Sequence, residues 1–473
     1  KLNMLNSIVF TSGFDWISAT LIFLVLYVAK YYYNYYTRKN PLPGPLPLPI
    51  IGNLHQIAFH KIGDIDIGTW SFFPLRKKYG ETFEIYLGSV RAIITGDPKA
   101  LDKVYNSSSK NNFTIRPALN GLSELRTHNG LILNNDQKSW SRNRKFVSHT
   151  LLSPKFLHEF ADITQDLFNK AERNWTSGMV IDFAYWIRCF TTDILSSILT
   201  GSPAVYPLSC STSKSEYTPE MKESYEFLQS QRKWFKSLIF FVAVPRFLRY
   251  NIPFLSSINR DYLDNARRLE DEVLEKVIKR REQLENLPEG QAGGDGLLDM
   301  LLTMNIRDHD EPVEDDEPMK DEEIRDNIMD ISLTNSTGNS LCYFIYHISQ
   351  NPQCKERLLE EIDSIFANDM TRPITSNDLE KLVYMEAAIK ESLRIFPVAP
   401  LVPRSLANPD TLLGYNWPAG QLFFISQYSL MHNKNVWEEP HKFNPDRFLK
   451  DTEKIQKKFF VPFGGGCRIC PGR

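Results

Sequence analysis

FGGGCRICPGR, residues 463–473, crowds three consecutive glycines, two cysteines and two arginines into one short run. Glycine at this density disfavours the interior of a helix or a strand, so the run predicts a tight loop that brings backbone close to something flat or bulky. Cys467-Arg468-Ile469-Cys470 is a C-x-x-C pair, and the chemistries that use such pairs differ in what must surround them. A zinc ribbon needs a second ligand pair, and the sequence has no other C-x-x-C and no close histidine pair. A c-type haem attachment needs histidine next, where Pro471 stands. A thioredoxin-like pair opens a helix in a small βαβ unit, and a Walker loop needs Gly-Lys-Ser/Thr; neither context is present. What remains is a single thiolate ligand to a metal cofactor, held in a loop whose backbone N–H groups tune the sulfur. Arg468 is then free to pair with a carboxylate of that cofactor.

Outward from this loop, composition limits the alternatives. A length of 473 residues allows about three domains by the ~150-residue prior, yet no Gly/Ser-rich linker or internal repeat divides the chain, so one large domain is admissible. The formal net charge of −2 supplies no basic excess to neutralise phosphates, which argues against a nucleic-acid partner. The other four cysteines, Cys189, Cys210, Cys342 and Cys354, lie scattered in apolar or helical stretches and read as buried thiols in a reducing, cytosol-facing setting. Sequons such as Asn112-Phe113-Thr114 and Asn174-Trp175-Thr176 arise by chance and carry little weight against that setting.

Residues 16–36, WISATLIFLVLYVAKYYYNYY, predict an N-terminal transmembrane helix. Ile17 to Ala29 carry no charge, Trp16 and the tyrosines at 31, 32, 33, 35 and 36 suit the two headgroup belts, and Lys30 can snorkel. Lys30, Arg38 and Lys39 after the span place the bulk of the chain on the cytosolic side. A cleaved signal peptide would need a small-residue cleavage site, which the tyrosine run does not offer. The following PLPGPLPLPIIGN (41–53) fixes φ at nearly alternate positions and reads as a semi-rigid spacer.

Helical periodicity dominates from about residue 150 to 400. NPQCKERLLEEIDSIF (351–366) is amphipathic, and DLEKLVYMEAAIKESLRIF (378–396) predicts one helix with an apolar stripe of Leu379, Leu382, Met385, Ala388, Ile389 and Leu393. Thr375 and Asp378 form a capping box and Pro397 stops that helix. Strand alternation is confined to TFEIYLGSVRAIITG (82–96) and short pieces after 400, so the expected fold is mainly α with a small β-sheet region, α+β. The acidic run RDHDEPVEDDEPMKDEEIRD (307–326) lacks the spaced oxygens and central glycine of a calcium loop and reads as a solvated surface loop leading into a helix. KWFKSLIFFVAVPRFLRYNIPFL (233–255) reads equally as a segment resting on a membrane surface or as core helix.

In register, Phe463, Gly466, Arg468, Cys470 and Gly472 resemble the haem-binding signature F-x-x-G-x-R-x-C-x-G of the cytochrome P450 family. Three further motifs share the resemblance, which runs in the family's order from about residue 16 to 473. Glu391-Ser-Leu-Arg394 is similar to the E-x-x-R helix, FNPDRF supplies Arg447 as its third partner, and Trp140-Ser-Arg-Asn-Arg144 is similar to the W-x-x-x-R helix. The resemblance implies a cytochrome P450-like fold, with a membrane anchor over 1–37, a proline-rich hinge over 38–53 and a catalytic domain over 54–473. It implies haem b (iron protoporphyrin IX) with Cys470 as axial ligand, Trp140, Arg144 and Arg404 holding haem propionates, and Glu391, Arg394 and Arg447 as a structural cluster. It further implies a monooxygenase at the endoplasmic reticulum membrane that uses O2, NADPH-cytochrome P450 reductase with or without cytochrome b5, and a lipophilic small-molecule substrate.

The sequence departs from the family pattern in two places. Where the oxygen-binding helix usually carries A/G-G-x-D/E-T-T, this chain has Ser332-Leu-Thr-Asn-Ser-Thr337: Asn335 replaces the acid, Ser336 the threonine and Leu333 a glycine, with Thr337 following. Serine keeps a hydroxyl, whereas asparagine orders water but supplies no carboxylic proton, so altered proton delivery and weaker coupling are expected at these catalytic positions. The family also continues past the cysteine, while this chain begins with Lys1 and ends at Arg473, as expected of a partial product. Two rivals follow: a haem-thiolate isomerase or dehydratase needing no reductase, and an inactive truncated haem-binding product.

Overall fold

The computed structural model describes residues 2–58, 72–105, 112–117, 121–200, 208–210, 217–288, 296–307, 318–332, 336–366, 369, 371–449 and 458–473. Its organising sheet joins the two ends of the sequence. Strands β1 (Thr82–Leu87) and β2 (Val90–Thr95) form an antiparallel hairpin, turning at Gly88 with φ of 63°. Strands β3 (Leu401–Ser405), β4 (Asp410–Leu412), β5 (Tyr415–Trp417) and β6 (Leu422–Ser426) come from the far end of the chain. The four-stranded order is β1-β2-β6-β3, with β2 parallel to β6 (Ala92 opposite Leu422) and β3 antiparallel to β6; β4 and β5 form a separate hairpin. Ala92, Ile93 and Ile94 are all buried, so β2 is covered on both faces, as its unbroken apolar run requires.

Helices make up most of the remainder, so the fold is mainly α with a small sheet. The largest apolar core lies among the helices Gln137–Leu151, Phe183–Thr200, Pro253–Glu285, Leu297–Arg307 and Asp321–Ser332. In Pro253–Glu285 the buried positions Leu263, Ala266, Leu269, Val273 and Val277 recur at three or four residues and face this core. Full burial of each leucine or valine contributes about 1.5–3 kcal/mol.

At the N-terminus, Leu2–Tyr36 is one helix, and Trp16–Tyr36 is long and apolar enough to cross a membrane, with none of that window buried in the protein. The proline segment that follows is not a free spacer. Its carbonyls are used along the edge of β1: Glu84 N–H donates to Pro43 O (2.9 Å), and the Asn53 amide donates to Pro45 O and Leu46 O while its Oδ1 accepts from Tyr86 N–H (2.8 Å). Arg38 and Arg91 both clamp the buried Glu84 carboxylate beside it. Proline lacks a backbone donor but keeps its acceptor, so this neck docks through C=O groups.

Three other sequence expectations change. The helix expected over 378–396 breaks at Leu382 into Ser376–Lys381 and Val383–Ile395, because the Glu361 carboxylate accepts the N–H groups of Tyr384 (2.6 Å) and Met385 (2.9 Å) and starts a new N-terminus there. Its buried face is Tyr384, Ala387, Ala388, Glu391, Arg394 and Ile395, while Leu379 and Ile389 are exposed: the buried ion pair, not the apolar stripe, sets the inward side. Of the acidic run, residues 308–317 lie outside the described residues; in the helix Asp321–Ser332 that it leads into, its residues Glu323 and Asp326 are buried, as is the following Asp330. The stretch 233–255 divides between the two readings: Trp234 and Phe241 enter the core, whereas Phe247 (70 % exposed) and Phe254 (67 %) are exposed, Phe247 two residues after Pro245, which with Ile50 of the neck lies against Gly88.

Candidate functional site

The C-terminal loop is shaped by backbone geometry that glycine permits. Gly464 (φ 76°) and Gly466 (φ 69°) occupy the left-handed region. Gly465 is extended, and its requirement is contact: a Cβ there would lie 2.6 Å from the Tyr105 ring. Cys470 N–H closes the loop onto Phe463 O (3.0 Å), and Ile469 N–H donates to Gly466 O (3.2 Å). Cys470 is exposed and Phe463 is 37 % exposed, while Cys467 packs against the helical core.

Three segments converge on this loop, each bringing an arginine, and the loop itself supplies a fourth, Arg468. Arg404 is buried at 1 % exposure in the middle of β3, opposite Phe423 of β6, and its Nη1 donates to Pro403 O (3.0 Å). Residues 112–116 run beside β3, with Ser405 N–H donating to Ile115 O (3.0 Å), which carries Arg116 onto the same carbonyl, Pro403 O (3.2 Å). The helix Gln137–Leu151, capped by Asp136, brings Trp140 (4 % exposed) and Arg144 one turn apart. Arg468 lies flat over the Trp140 ring at 4.1 Å and donates to three backbone carbonyls: Thr114 O (3.1 Å), Leu131 O (3.2 Å) and Asn134 O (2.6 Å). Trp140 Nε1–H also donates to Leu131 O (3.2 Å). Three of Arg468's five N–H groups therefore hold backbone carbonyls.

The electrostatics of this cradle are one-sided. Burial pushes the guanidinium of Arg468 down to about 10, and burial likewise lowers Arg404, Arg144 and, furthest, Arg116. Mutual repulsion adds to burial, because Arg116 feels Arg404 and Arg468, and Arg468 feels Arg404 and Arg144. The only opposing charges among their stated neighbours are thiols and a phenol: Cys467 lies within electrostatic reach of all four arginines, Cys470 of Arg144, and Tyr105 of Arg116 and Arg404. None of the four makes a salt bridge among the described residues, and Arg116 Nε is buried without a hydrogen-bond partner.

Beneath the sheet the other predicted group assembles. Arg394 Nε and Nη2 donate to both oxygens of Glu391 (2.7 and 2.9 Å), with both side chains fully buried, and Arg447 Nε reaches Glu391 Oε1 at 3.3 Å. Asn444 N–H adds a fourth bond to Glu391 (3.0 Å), and Arg394 Nη1 holds Met431 O (2.8 Å). Ser336 and Thr337 stand in the exposed first turn of the helix Ser336–Gln350, and no described contact joins them to the cysteine loop. Leu333 and Asn335 lie outside the described residues.

Sequence reasoning missed Arg116, Tyr105, Gly130 and Asp330. Arg116 precedes proline in a short extended stretch, a weak signal by itself. Asp326 and Asp330 stand one turn apart on the same face of a helix in which every residue from 323 to 330 is buried, so no alternation of polar and apolar positions marks them as inward-pointing in the sequence.

The chain belongs to the cytochrome P450 family, whose model matches residues 42–473. It is similar to 3,9-dihydroxypterocarpan 6A-monooxygenase of Glycine max (28% identity, covering 92% of this chain and 84% of the relative). It is also similar to cytochrome P450 4d10 of Drosophila mettleri (27%; 91% and 82%) and to tabersonine 6,7-epoxidase isoform 1 of Catharanthus roseus (26%; 95% and 85%). The protein is thus an oxidoreductase of the oxygen-incorporating class, in a haem-binding family, with an N-terminal helix that suits a membrane anchor. Haem presents two carboxylates and asks for one axial ligand. Four guanidiniums without a carboxylate partner among the described residues, one with an orphaned buried Nε, fit the first demand, and a glycine-built thiol loop fits the second.

Proposed function

We propose that this protein is a membrane-anchored haem-thiolate monooxygenase, with the anchor over residues 1–37, the hinge over 38–53 and the catalytic body from 54 onward at the cytosolic face of the endoplasmic reticulum. Haem b is the group that fits, with Cys470 as its axial ligand and Arg116, Arg144 and Arg404, together with the Arg468–Trp140 stack, around its propionates. The observation that carries this reading is the four-arginine cradle beside a cysteine loop in register with F-x-x-G-x-R-x-C-x-G. Bound haem supplies the iron at which O2 is activated, and thiolate donation to it favours O–O cleavage. Electrons reach it from NADPH through cytochrome P450 reductase, with cytochrome b5 as a second donor.

The chain's own residues then do three things. With haem bound, the arginines would neutralise and hold its propionates. Ser336 Oγ–H would be the hydroxyl donor on the oxygen side, with Thr337 beside it in the first helical turn. Asn335 orders water through its amide but releases no proton, so proton supply depends on that water. The substrate is a lipophilic small molecule, consistent with relatives named for 3,9-dihydroxypterocarpan and tabersonine. Exposed Phe247 and Phe254 give the body a second apolar contact with the bilayer that anchors it.

The Asn335-Ser336 pair also favours a second reading, an isomerase or dehydratase that uses an already oxygenated substrate. Turnover with reductase separates the two: the monooxygenase requires NADPH and O2, and turnover without either assigns the second class. Asn335→Asp is expected to raise product formed per NADPH consumed, and an unchanged ratio removes the proton-supply argument.

A further inference from the structure

We propose that Asp330, a buried acid outside the cradle, is a positioning residue that sets where Arg468 and Trp140 stand; the inference rests on the propionate reading above. The connection is short and is made of backbone. Asp330 is 6 % exposed and projects from the helix Asp321–Ser332 against the loop 129–134. Its Oδ2 accepts two consecutive N–H groups, Leu131 (2.6 Å) and Ile132 (2.8 Å). One helical turn earlier, Asp326 Oδ2 accepts the N–H of Asn129 (2.9 Å). Three loop N–H groups are thus turned onto two carboxylates of one helix.

The carbonyls of the same loop serve the cradle. Leu131 O accepts from both Trp140 Nε1 and Arg468 Nη1, and Asn134 O accepts from Arg468 Nη2. The residue whose N–H is gripped by Asp330 is therefore the residue whose C=O holds both the tryptophan and the arginine. The loop can lie this close only because position 130 is glycine. A Cβ there would sit 2.4 Å from Asp330 Oδ2 and 2.8 Å from Asp326 O.

A merely structural acid would contribute stability and nothing specific to the haem. A positioning acid moves haem properties apart from stability, because it acts on Arg468. Outer-shell partners of metal sites typically carry about 10–100-fold in affinity. In the full, haem-loaded chain, Asp330→Ala is expected to speed haem transfer to an excess of a haem-free scavenger protein about tenfold. It also moves the iron midpoint potential to more negative values, as a propionate loses its cation. Asp330→Asn keeps an oxygen for the two N–H groups and restores both readouts toward the parent. Leu228→Ala, a cavity in a separate buried cluster with Tyr217 and Met221, is the stability control: it lowers the unfolding midpoint and leaves transfer rate and potential in place.

Asp330→Ala behaving like Leu228→Ala overturns the proposal. If Asp330→Ala yields no folded protein, Gly130→Ala displaces the same loop with the carboxylate retained, and the same two readouts decide. Arg468→Ala separates the layers of the argument. Should it retain haem and potential like the parent, the propionate reading fails and this inference with it; should it lose them while Asp330→Ala and Gly130→Ala do not, only this inference fails.

Discussion

Arg394 has no exposure and is held by both oxygens of an equally buried Glu391. Taking such a pair out of water costs several kcal/mol per ion, and the pair recovers this only through complete bonding. Glu391 obtains it from Arg394, Arg447 and the Asn444 N–H, and Arg394 adds Met431 O and a face of Trp437 at 5.1 Å. Removing one partner strands the other's charge. Arg394→Met is therefore expected to lower stability by about 3–5 kcal/mol, read from the denaturant midpoint, with part recovered in the Glu391→Met/Arg394→Met double variant. A cost no larger than that of breaking the exposed Lys276–Glu272 pair would contradict this assignment.

At the scale of the element, the cysteine loop uses its glycines for two different reasons, and substitutions separate them. Gly466→Ala places a Cβ on a backbone at φ 69°, a strain local to the loop. Gly465→Ala drives a Cβ into the Tyr105 ring at 2.6 Å, a strain between elements. Both are expected to reduce haem incorporation, measured as bound haem per purified chain. Only the Gly465→Ala defect is expected to be partly relieved by Tyr105→Ala, because the ring atoms are gone and only the Tyr105 Cβ contact at 2.9 Å remains. Equal relief of both would contradict the distinction. Much of this loop was legible in the sequence, since the resemblance to the family signature put Phe463, Gly466, Arg468 and Cys470 in register. The role of Gly465 was not, because its neighbour Tyr105 is far away in the chain. The same limit explains why Glu391, Arg394 and Arg447 could be grouped by motif, while the break at Leu382 required knowing that Glu361 lies across from Tyr384. The proline neck shows a related limit: sequence predicts an extended spacer from φ, but which carbonyls find donors depends on the strand that runs beside them.

For the whole molecule, two buried acids on helices, both outside the acidic run 307–326, give the fold a definite response to pH. Burial first, then neighbouring charge, pushes the carboxyls of Asp330 and Glu270 each up to about 7. Unfolded carboxyls titrate near ~4, so between roughly pH 4 and 7 the folded chain holds protons that the unfolded chain releases. Stability from these groups is thus full at the acid end of that window and declines as pH rises to about 7. Asp326, Arg325, Arg126 and His128 surround them, and Asp326 is itself raised by burial. The Asp330→Asn/Glu270→Gln variant is expected to lose less of its unfolding midpoint than the parent between pH 5 and pH 8. A parallel decline in both would remove these two acids from the account. Sequence showed the acids but not their inward aim, because net charge says nothing about which backbone N–H groups stand opposite.

Two sulfurs compete for the central role. Register with the family motif assigns the axial bond to Cys470, whereas Cys467 is the thiol that all four cradle arginines feel. The decisive measurement is the spectrum of the reduced, carbon-monoxide-treated haem protein in the Cys467→Ser and Cys470→Ser variants, prepared side by side. The account predicts that Cys467→Ser retains the thiolate-type spectrum and that Cys470→Ser loses it; a thiolate-type spectrum that survives in Cys470→Ser contradicts the account at its centre.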